Sequence, residues 1–365
     1  MRKIRILYIL PDMSNAGPIN MCLSLISHMD KKNIDITVLA FGDGEREPGF
    51  SKFSKIKKIK RANLKDIISF VQNNDFDIVH SHCIISDIFL FLSFMFGKKS
   101  KYKKITTIHN YPDKDSIYRR GQVIGGFLAK LQLLSIKNSY KVACSNAVKI
   151  YCEESLGLSN IIAIPNGVSS KQTNHKLHVG ENKKNTVDFF YLGSLNERKN
   201  VELVLQAFKI WSPGKNANLH IIGDGELYQR LVNEYRSGDI IFHGKILNPY
   251  SIISQYDCFV SSSKSEGMPL ALLESMSLGK TYICSDIGPH LEVHNASSDK
   301  AGFIFKLSDG INGVISAFNL FYNEKNKSNL YALSLDTYNK NYTSEIMANK
   351  YRDLYFYLHE TYMHE

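Results

Sequence analysis

The sequence predicts two open α/β domains, each a parallel β-sheet with helices between its strands. Short apolar runs of strand length alternate with helix-periodic segments along nearly all of the 365 residues. That length suits two domains, each burying its own core. A polar, aperiodic stretch at 169–186, rich in Lys, Asn and His, separates two such series. The expected boundaries are therefore 1–168, a linker at 169–186, and 187–343, followed by a last helix.

The first strand is Ile4 to Leu10, a continuous apolar run that Pro11 and Asp12 end. It is too short for a signal peptide's apolar region plus cleavage site, and a buried strand fits it better. Further strands are expected at 35–41, 77–80, 104–108, 141–144 and 161–164, with helices between them, as at 18–29 and 64–73. Pro165-Asn-Gly-Val168 then reads as a turn that sets hinge geometry. The second series has strands near 188–192, 218–222, 240–242, 257–260, 281–284 and 303–305. Its helices fall near 200–210, 226–235, 249–255 and 269–279, and 342–363 is a tyrosine-rich helix. Open sheets of this kind bind ligands outside the carboxyl ends of their strands.

Composition excludes several classes. The longest apolar stretch, Ile88 to Phe96, is about half a membrane span. The six cysteines show no C-x-x-C spacing, which reads as reduced thiols in a cytoplasm with no metal framework. Net charge is +10 and unevenly placed. Through Val168 there are 25 Lys and Arg against 14 Asp and Glu; the remainder has 20 against 21. The first domain thus carries the basic excess, notably in Lys55 to Arg61 and Lys98 to Lys104, yet no nucleic-acid recognition motif accompanies it.

The most specific segment is Ser265-Glu-Gly-Met-Pro-Leu-Ala-Leu-Leu-Glu274. Glu266 falls in a loop after a strand and Glu274 within the next helix. Between them Gly267, Met268, Pro269 and Leu270 open that helix, whose free N–H groups and dipole suit a phosphate. Two carboxylates flanking a phosphate site fit the hydroxyls of a nucleotide sugar; an acid favouring the helix dipole beside an unrelated surface Glu fits the spacing equally. Arg198 and Lys199, after the first strand of the second domain, suit a diphosphate, and also suit a solvated helix start. Gly193, Gly223 and the glycine before Lys245 each follow a strand, where a ligand or a plain turn would use them.

In the first domain Gly17 lets the loop after the first strand approach a ligand, with Pro18 in the first helical turn. The loop is not G-x-G-x-x-G, so a dinucleotide reading loses support. His80 and His82 share one strand face at metal-like spacing, but the sequence offers no third ligand beside them. His109 closes its strand at the expected crevice, as a functional or a structural histidine. His220 lies inside a strand and reads as a core residue.

Taken in order, these segments resemble the family-4 retaining glycosyltransferases of the GT-B fold. The matches are Gly17, Asp77-Ile-Val-His80 with His82, Thr107-Ile-His109, Pro165-Asn-Gly-Val168, Gly193 with Arg198-Lys199-Asn200, Gly223-Asp-Gly225, and the Glu266-x7-Glu274 motif. The resemblance implies two Rossmann-like domains facing across a deep cleft, with the final helix, 344–365, crossing back onto the first. It implies transfer from a nucleotide sugar, a UDP-sugar being the expected donor, with retention and without a metal or other cofactor. Glu266 would contact the sugar, Glu274 the ribose, and Arg198 and Lys199 the leaving diphosphate. His109 would lie near sugar and acceptor, and Gly17 would give the phosphate room; apart from the resemblance, the turn before Lys245 suits a nucleobase with Lys245 at its rim, or a bare turn. Two departures stand out: Ala16-Gly17 replaces the family's Gly-Gly, and Ser194 replaces an Arg after Gly193.

The expected acceptor is a glycan, lipid-linked, in surface polysaccharide synthesis. The basic clusters beside the apolar run Ile88 to Phe96 suit an anionic inner membrane face; a buried helix with solvated lysines suits them too. Other functions remain open: a nucleotide-sugar epimerase of the same fold, or a non-enzymatic binding module.

Overall fold

The computed structural model describes residues 2–96, 102–169, 186–297 and 300–363. Most of the expected linker, at 170–185, and residues 97–101 of the second basic cluster lie outside them. The chain divides into two compact units, 1–167 with 344–365, and 168–343.

The first unit runs β1 (Ile4–Leu10), α1 (Gly17–Ser27), β2 (Ile34–Ala40), α2 (Glu47–Phe50), β3 (Lys55–Lys58), α3 (Leu64–Asn73), β4 (Ile78–His82), α4 (Cys83–Phe96), β5 (Lys103–Ile108), α5 (Pro112–Ile136), β6 (Tyr140–Ala143), α6 (Asn146–Glu154) and β7 (Ile161–Ala163). Its sheet has the order β3-β2-β1-β4-β5-β6-β7, with every pairing parallel. β1 alternates across the sheet as a strand must. Ile4, Ile6, Tyr8 and Leu10 pack with Met21, Cys22 and Leu25 of α1 on one face. Leu7 and Ile9 pack with Ile67 and Val71 of α3 on the other. Both faces are buried, so β1 reads as a continuous apolar run.

The second unit runs β8 (Val187–Leu192), α7 (Val201–Trp211), β9 (Ala217–Ile222), α8 (Tyr228–Tyr235), β10 (Ile240–Gly244), α9 (Tyr250–Ile253), β11 (Cys258–Ser261), α10 (Leu270–Ser277), β12 (Thr281–Ser285), α11 (Gly288–His294), β13 (Phe303–Phe305), α12 (Gly310–Tyr322) and α13 (Lys327–Asn341). Its sheet order is β10-β9-β8-β11-β12-β13, again all parallel. The core centres on Phe189, whose ring meets Phe208 and Trp211 of α7 and Phe318 and Phe321 of α12 at centroid distances of 4.8 to 6.2 Å.

The last helix, α14 (Ser344–Met363), belongs to the first unit. Met347, Ala348, Tyr351, Tyr355 and Leu358 are buried in the same core as Tyr8. Burying such large side chains contributes roughly 1.5–3 kcal/mol each.

Strand order fixes where a ligand site belongs. In each sheet the order reverses once, between β1 and β4 and between β8 and β11. Loops leaving adjacent strands on either side of a reversal go to opposite faces and leave a crevice at the carboxyl ends. One strand escaped the sequence reading: β3, Lys55-Ile-Lys-Lys58, lies within what read as a basic cluster. It pairs only with β2, Thr37 opposite Lys55 through Ala40 opposite Lys58. Lysines on an edge strand block further pairing, which explains their presence without a ligand.

Candidate donor site at the second-unit strand reversal

The loops leaving β8 and β11 carry the charged residues singled out in the sequence. Gly193 ends β8 with φ +154° and donates its N–H to Ile222 O at 3.0 Å. The loop then turns on Asn196, whose side chain accepts from Lys199 N, and on Asn200, held left-handed at φ +52°. Two reciprocal bonds join it to the β11 exit: Asn200 Nδ2 donates to Ser262 O, and Ser262 Oγ to Asn200 O. Lys264 N adds a third, to Arg198 O at 2.9 Å.

This stitching brings Arg198 and Lys199 onto Glu266. Arg198 Nη1 lies 3.1 Å from Glu266 Oε2 and donates to Ser265 O at 2.5 Å. Lys199 Nζ contacts Glu266 Oε1, which also accepts from Ser263 Oγ at 2.7 Å. Glu266 is only 6% exposed. Burial alone would push its carboxyl up; the Lys199 ammonium and Arg198 guanidinium outweigh burial and hold it down at about 2. Two cations against one carboxylate leave one net positive charge, preorganised and partly desolvated.

The helix α10 starts beside this cluster. Pro269, at its N-cap, makes no side-chain cap bond, Leu270 N donates to Met268 O at 2.9 Å, and Gly267, Met268 and Pro269 are buried while Leu270 is half-buried. Glu274 is half-buried one turn further on. Thus Glu266 and Glu274 lie before and within the helix, as the sequence placed them, with the first-turn N–H groups between.

Gly223 owes its identity to packing: a Cβ there would stand 1.8 Å from Gly193 O. The β8 and β9 exits touch through backbone, and Gly223 N donates to Gly244 O at 2.9 Å. Lys245 follows that glycine and is exposed. His220 is mostly buried against His243 and Asp188, at 3.0 and 3.3 Å, as a structural histidine.

Sequence reasoning missed the supports behind Glu266. Ser263 and Ser265 sit in the same loop as Glu266, and Asn200 and His290 come from two other segments that no spacing links to it. His290 is fully buried, its Nδ1 lies 3.0 Å from Ser285 O, and Ser285 Oγ donates to Ser263 O. Burial lowers the imidazole to about 4, against the pull of Glu266.

In the first unit, Gly17 opens α1 after Ala16, with Pro18 in the first turn. His109 follows β5 directly, and its Nε2 lies 2.9 Å from His82 Nδ1 at the end of β4. His80 is buried between Tyr355 OH and Thr107 Oγ1, each 2.8 Å away. Burial lowers His80 and His109 to about 3 and holds His82 well below the ordinary imidazole value, so all three rings are neutral at physiological pH. Among the described residues, no group of three or more His, Cys, Asp or Glu is placed to hold a metal ion. None of the six cysteines is in a disulfide.

Comparison with known proteins bears on the family and the fold. The family described as Glycosyltransferase Family 4 matches residues 17–172, and Glycosyl transferases group 1 matches 173–329. The O-antigen biosynthesis glycosyltransferase WclY of Escherichia coli is 27% identical over 96% of this chain and 98% of its own. An E. coli UDP-Gal:alpha-D-GlcNAc-diphosphoundecaprenol alpha-1,3-galactosyltransferase is 26% identical over 72% of this chain and 70% of its own. Among solved structures, Anabaena Alr3699/HepE in complex with UDP and glucose superposes with a TM-score of 0.78 at 12% identity, covering 96% of this chain and 99% of that one. That likeness is one of fold, two Rossmann-like halves of the GT-B kind.

Proposed function

Because the chain belongs to the family-4, group 1 glycosyltransferases, we propose that it moves a sugar, with retention, from a UDP-sugar to a lipid-linked glycan acceptor in surface polysaccharide synthesis. The observation that carries this reading is the Arg198–Lys199–Glu266 cluster at the β8/β11 reversal, beside the start of α10. As the sugar leaves, negative charge grows on the departing diphosphate. Arg198, Lys199 and the first-turn N–H groups of α10 are donors fixed before the reaction begins, so they stabilise that charge without reorganising. This supply of positive charge supports a reaction that needs no divalent cation. Glu266 holds the two cations in place and presents its carboxylate to the sugar hydroxyls. Within the second unit Glu274 takes the ribose and Lys245 stands at the base. His109, in the first unit, positions the acceptor.

The relatives' names support the pathway and the donor: one is described as acting in O-antigen biosynthesis, another as using UDP-Gal and a diphosphoundecaprenol acceptor. The test is transfer from a panel of UDP-sugars to an undecaprenyl-diphosphate-linked sugar. A product with the anomeric configuration of the donor is expected. Epimerised donor without any acceptor would favour an epimerase instead, and donor binding with no turnover would favour a binding module.

The acceptor's lipid also motivates a proposed cytoplasmic location at the inner membrane face. Among the described residues no helix is long and apolar enough to cross a membrane. The first unit does expose apolar side chains: Phe94, Met95 and Phe96 at the end of α4, and Val123, Ile124 and Phe127 on α5 past its kink at Gly121. Lys104 Nζ lies 3.5 Å from the Phe94 ring centroid, pairing charge with apolar surface. Flotation with phosphatidylglycerol-containing vesicles is expected at low salt and is expected to weaken as salt rises. No flotation at low salt would sink the membrane proposal and leave the transferase reading intact.

A further inference from the structure

Among the described residues, the first unit's histidine cluster contains one buried atom without a hydrogen-bond partner. His82 is fully buried at the end of β4, and its Nε2 has no partner, while its Nδ1 faces His109 Nε2 at 2.9 Å. The rings around it offer nothing to accept a proton: Tyr8 stacks at 5.7 Å and 20°, and the His80 ring lies 4.3 Å away. His80 uses both nitrogens on Tyr355 OH and Thr107 Oγ1, so it has none left for His82. The backbone fixes His82 as well. Strand passes to helix in one step at Cys83, left-handed at φ +71°, a conformation that a non-glycine residue keeps only where packing enforces it.

Two neutral imidazoles joined by one hydrogen bond share a single proton on that line, which leaves two arrangements. In one, His109 Nε2–H donates to His82 Nδ1; His82 must then carry a proton on Nε2, a buried donor with no acceptor. In the other, His82 Nδ1–H donates to His109 Nε2, and His82 Nε2 is a bare lone pair. Orphaned buried N–H groups are rarer than under-satisfied acceptors. We propose that His82 is a positioning residue that fixes the tautomer of His109, so that His109 meets its ligand with an Nδ1–H donor. His109 then has no free lone pair with which to remove a proton from an acceptor hydroxyl. It donates to an oxygen of the ligand it meets and holds that oxygen in place. The catalytic part of this inference rests on the transferase reading; the tautomer does not.

The test uses the full chain labelled with ring-15N histidine. Long-range proton–nitrogen spectra are expected to show His109 protonated at Nδ1, with the signal identified by its loss in His109→Gln. His82→Asn keeps an N–H at the Nδ1 position, and is expected to retain the tautomer and most of kcat. His82→Leu removes that donor and His82→Asp replaces it by an acceptor; both are expected to shift His109 toward Nε2–H and lower kcat by at least about tenfold. A wild-type His109 protonated at Nε2 would overturn the proposal, even if no variant folds. Equal losses in folded His82→Asn and His82→Leu would overturn it too. If the wild type transfers no sugar yet shows the Nδ1–H tautomer, the functional reading fails and the tautomer assignment stands.

Discussion

Glu266→Gln is expected to destabilise the second unit by about 3 kcal/mol at neutral pH, and to remove most transfer. The change leaves the Arg198 and Lys199 charges, both mostly buried, without a counter-charge, and breaking a buried pair on one side costs about 3–5 kcal/mol. The cations keep some contact with water, which favours the low end. The pH dependence follows from the sign of the shift. The Glu266 carboxyl is held at about 2 when folded and has its ordinary value of 4.5 when unfolded. Its charge therefore stabilises the fold fully above pH 4.5, and that contribution is lost as pH falls toward 2. Urea unfolding across this range is expected to show the wild type and variant converging as pH falls. A gap that stays constant with pH would refute the pairing.

Lys199→Ala is expected to act differently: it lowers kcat by about 10²–10³-fold, the scale of losing one preorganised charge donor, while the fold survives. Glu266 keeps Arg198 at 3.1 Å and Ser263 Oγ at 2.7 Å, so its carboxylate is not left uncompensated. Removing both cations together strands a buried carboxylate, and that double variant is expected to unfold more readily than either single one. Thermal unfolding with steady-state kinetics separates the two effects. An unchanged kcat in folded Lys199→Ala would contradict the role assigned to that ammonium.

Most of the fold was legible because buried parallel strands are apolar on both faces. Phe189-Phe-Tyr-Leu192 and Ile4 to Leu10 could hardly be anything else. β3 was not legible because Lys55-Ile-Lys-Lys58 forms a strand through backbone pairing with β2 and has no apolar signature of its own. The site was half legible. A spacing rule reveals Glu266 and Glu274, since both belong to one loop and helix. No spacing rule reveals that Arg198 meets Glu266, 68 residues away, because that contact depends on β8 and β11 being neighbours. The same holds for His82 and His109: each was visible at a strand end, but their 2.9 Å contact needs β4 beside β5. Tyr355 lies further still, brought to Tyr8 at 2.7 Å by a helix from the other end of the chain.

In the proposed function the second unit holds a diphosphate between Arg198, Lys199 and the start of α10. Titration calorimetry with uridine and with UDP, on wild type and on Lys199→Ala, tests it most directly. UDP is expected to bind wild type at least about tenfold more tightly than uridine, a difference of about 1.4 kcal/mol, and Lys199→Ala is expected to remove most of that ratio while leaving uridine binding unchanged. Equal affinities for uridine and UDP in the wild type, or an undiminished ratio in Lys199→Ala, would contradict it.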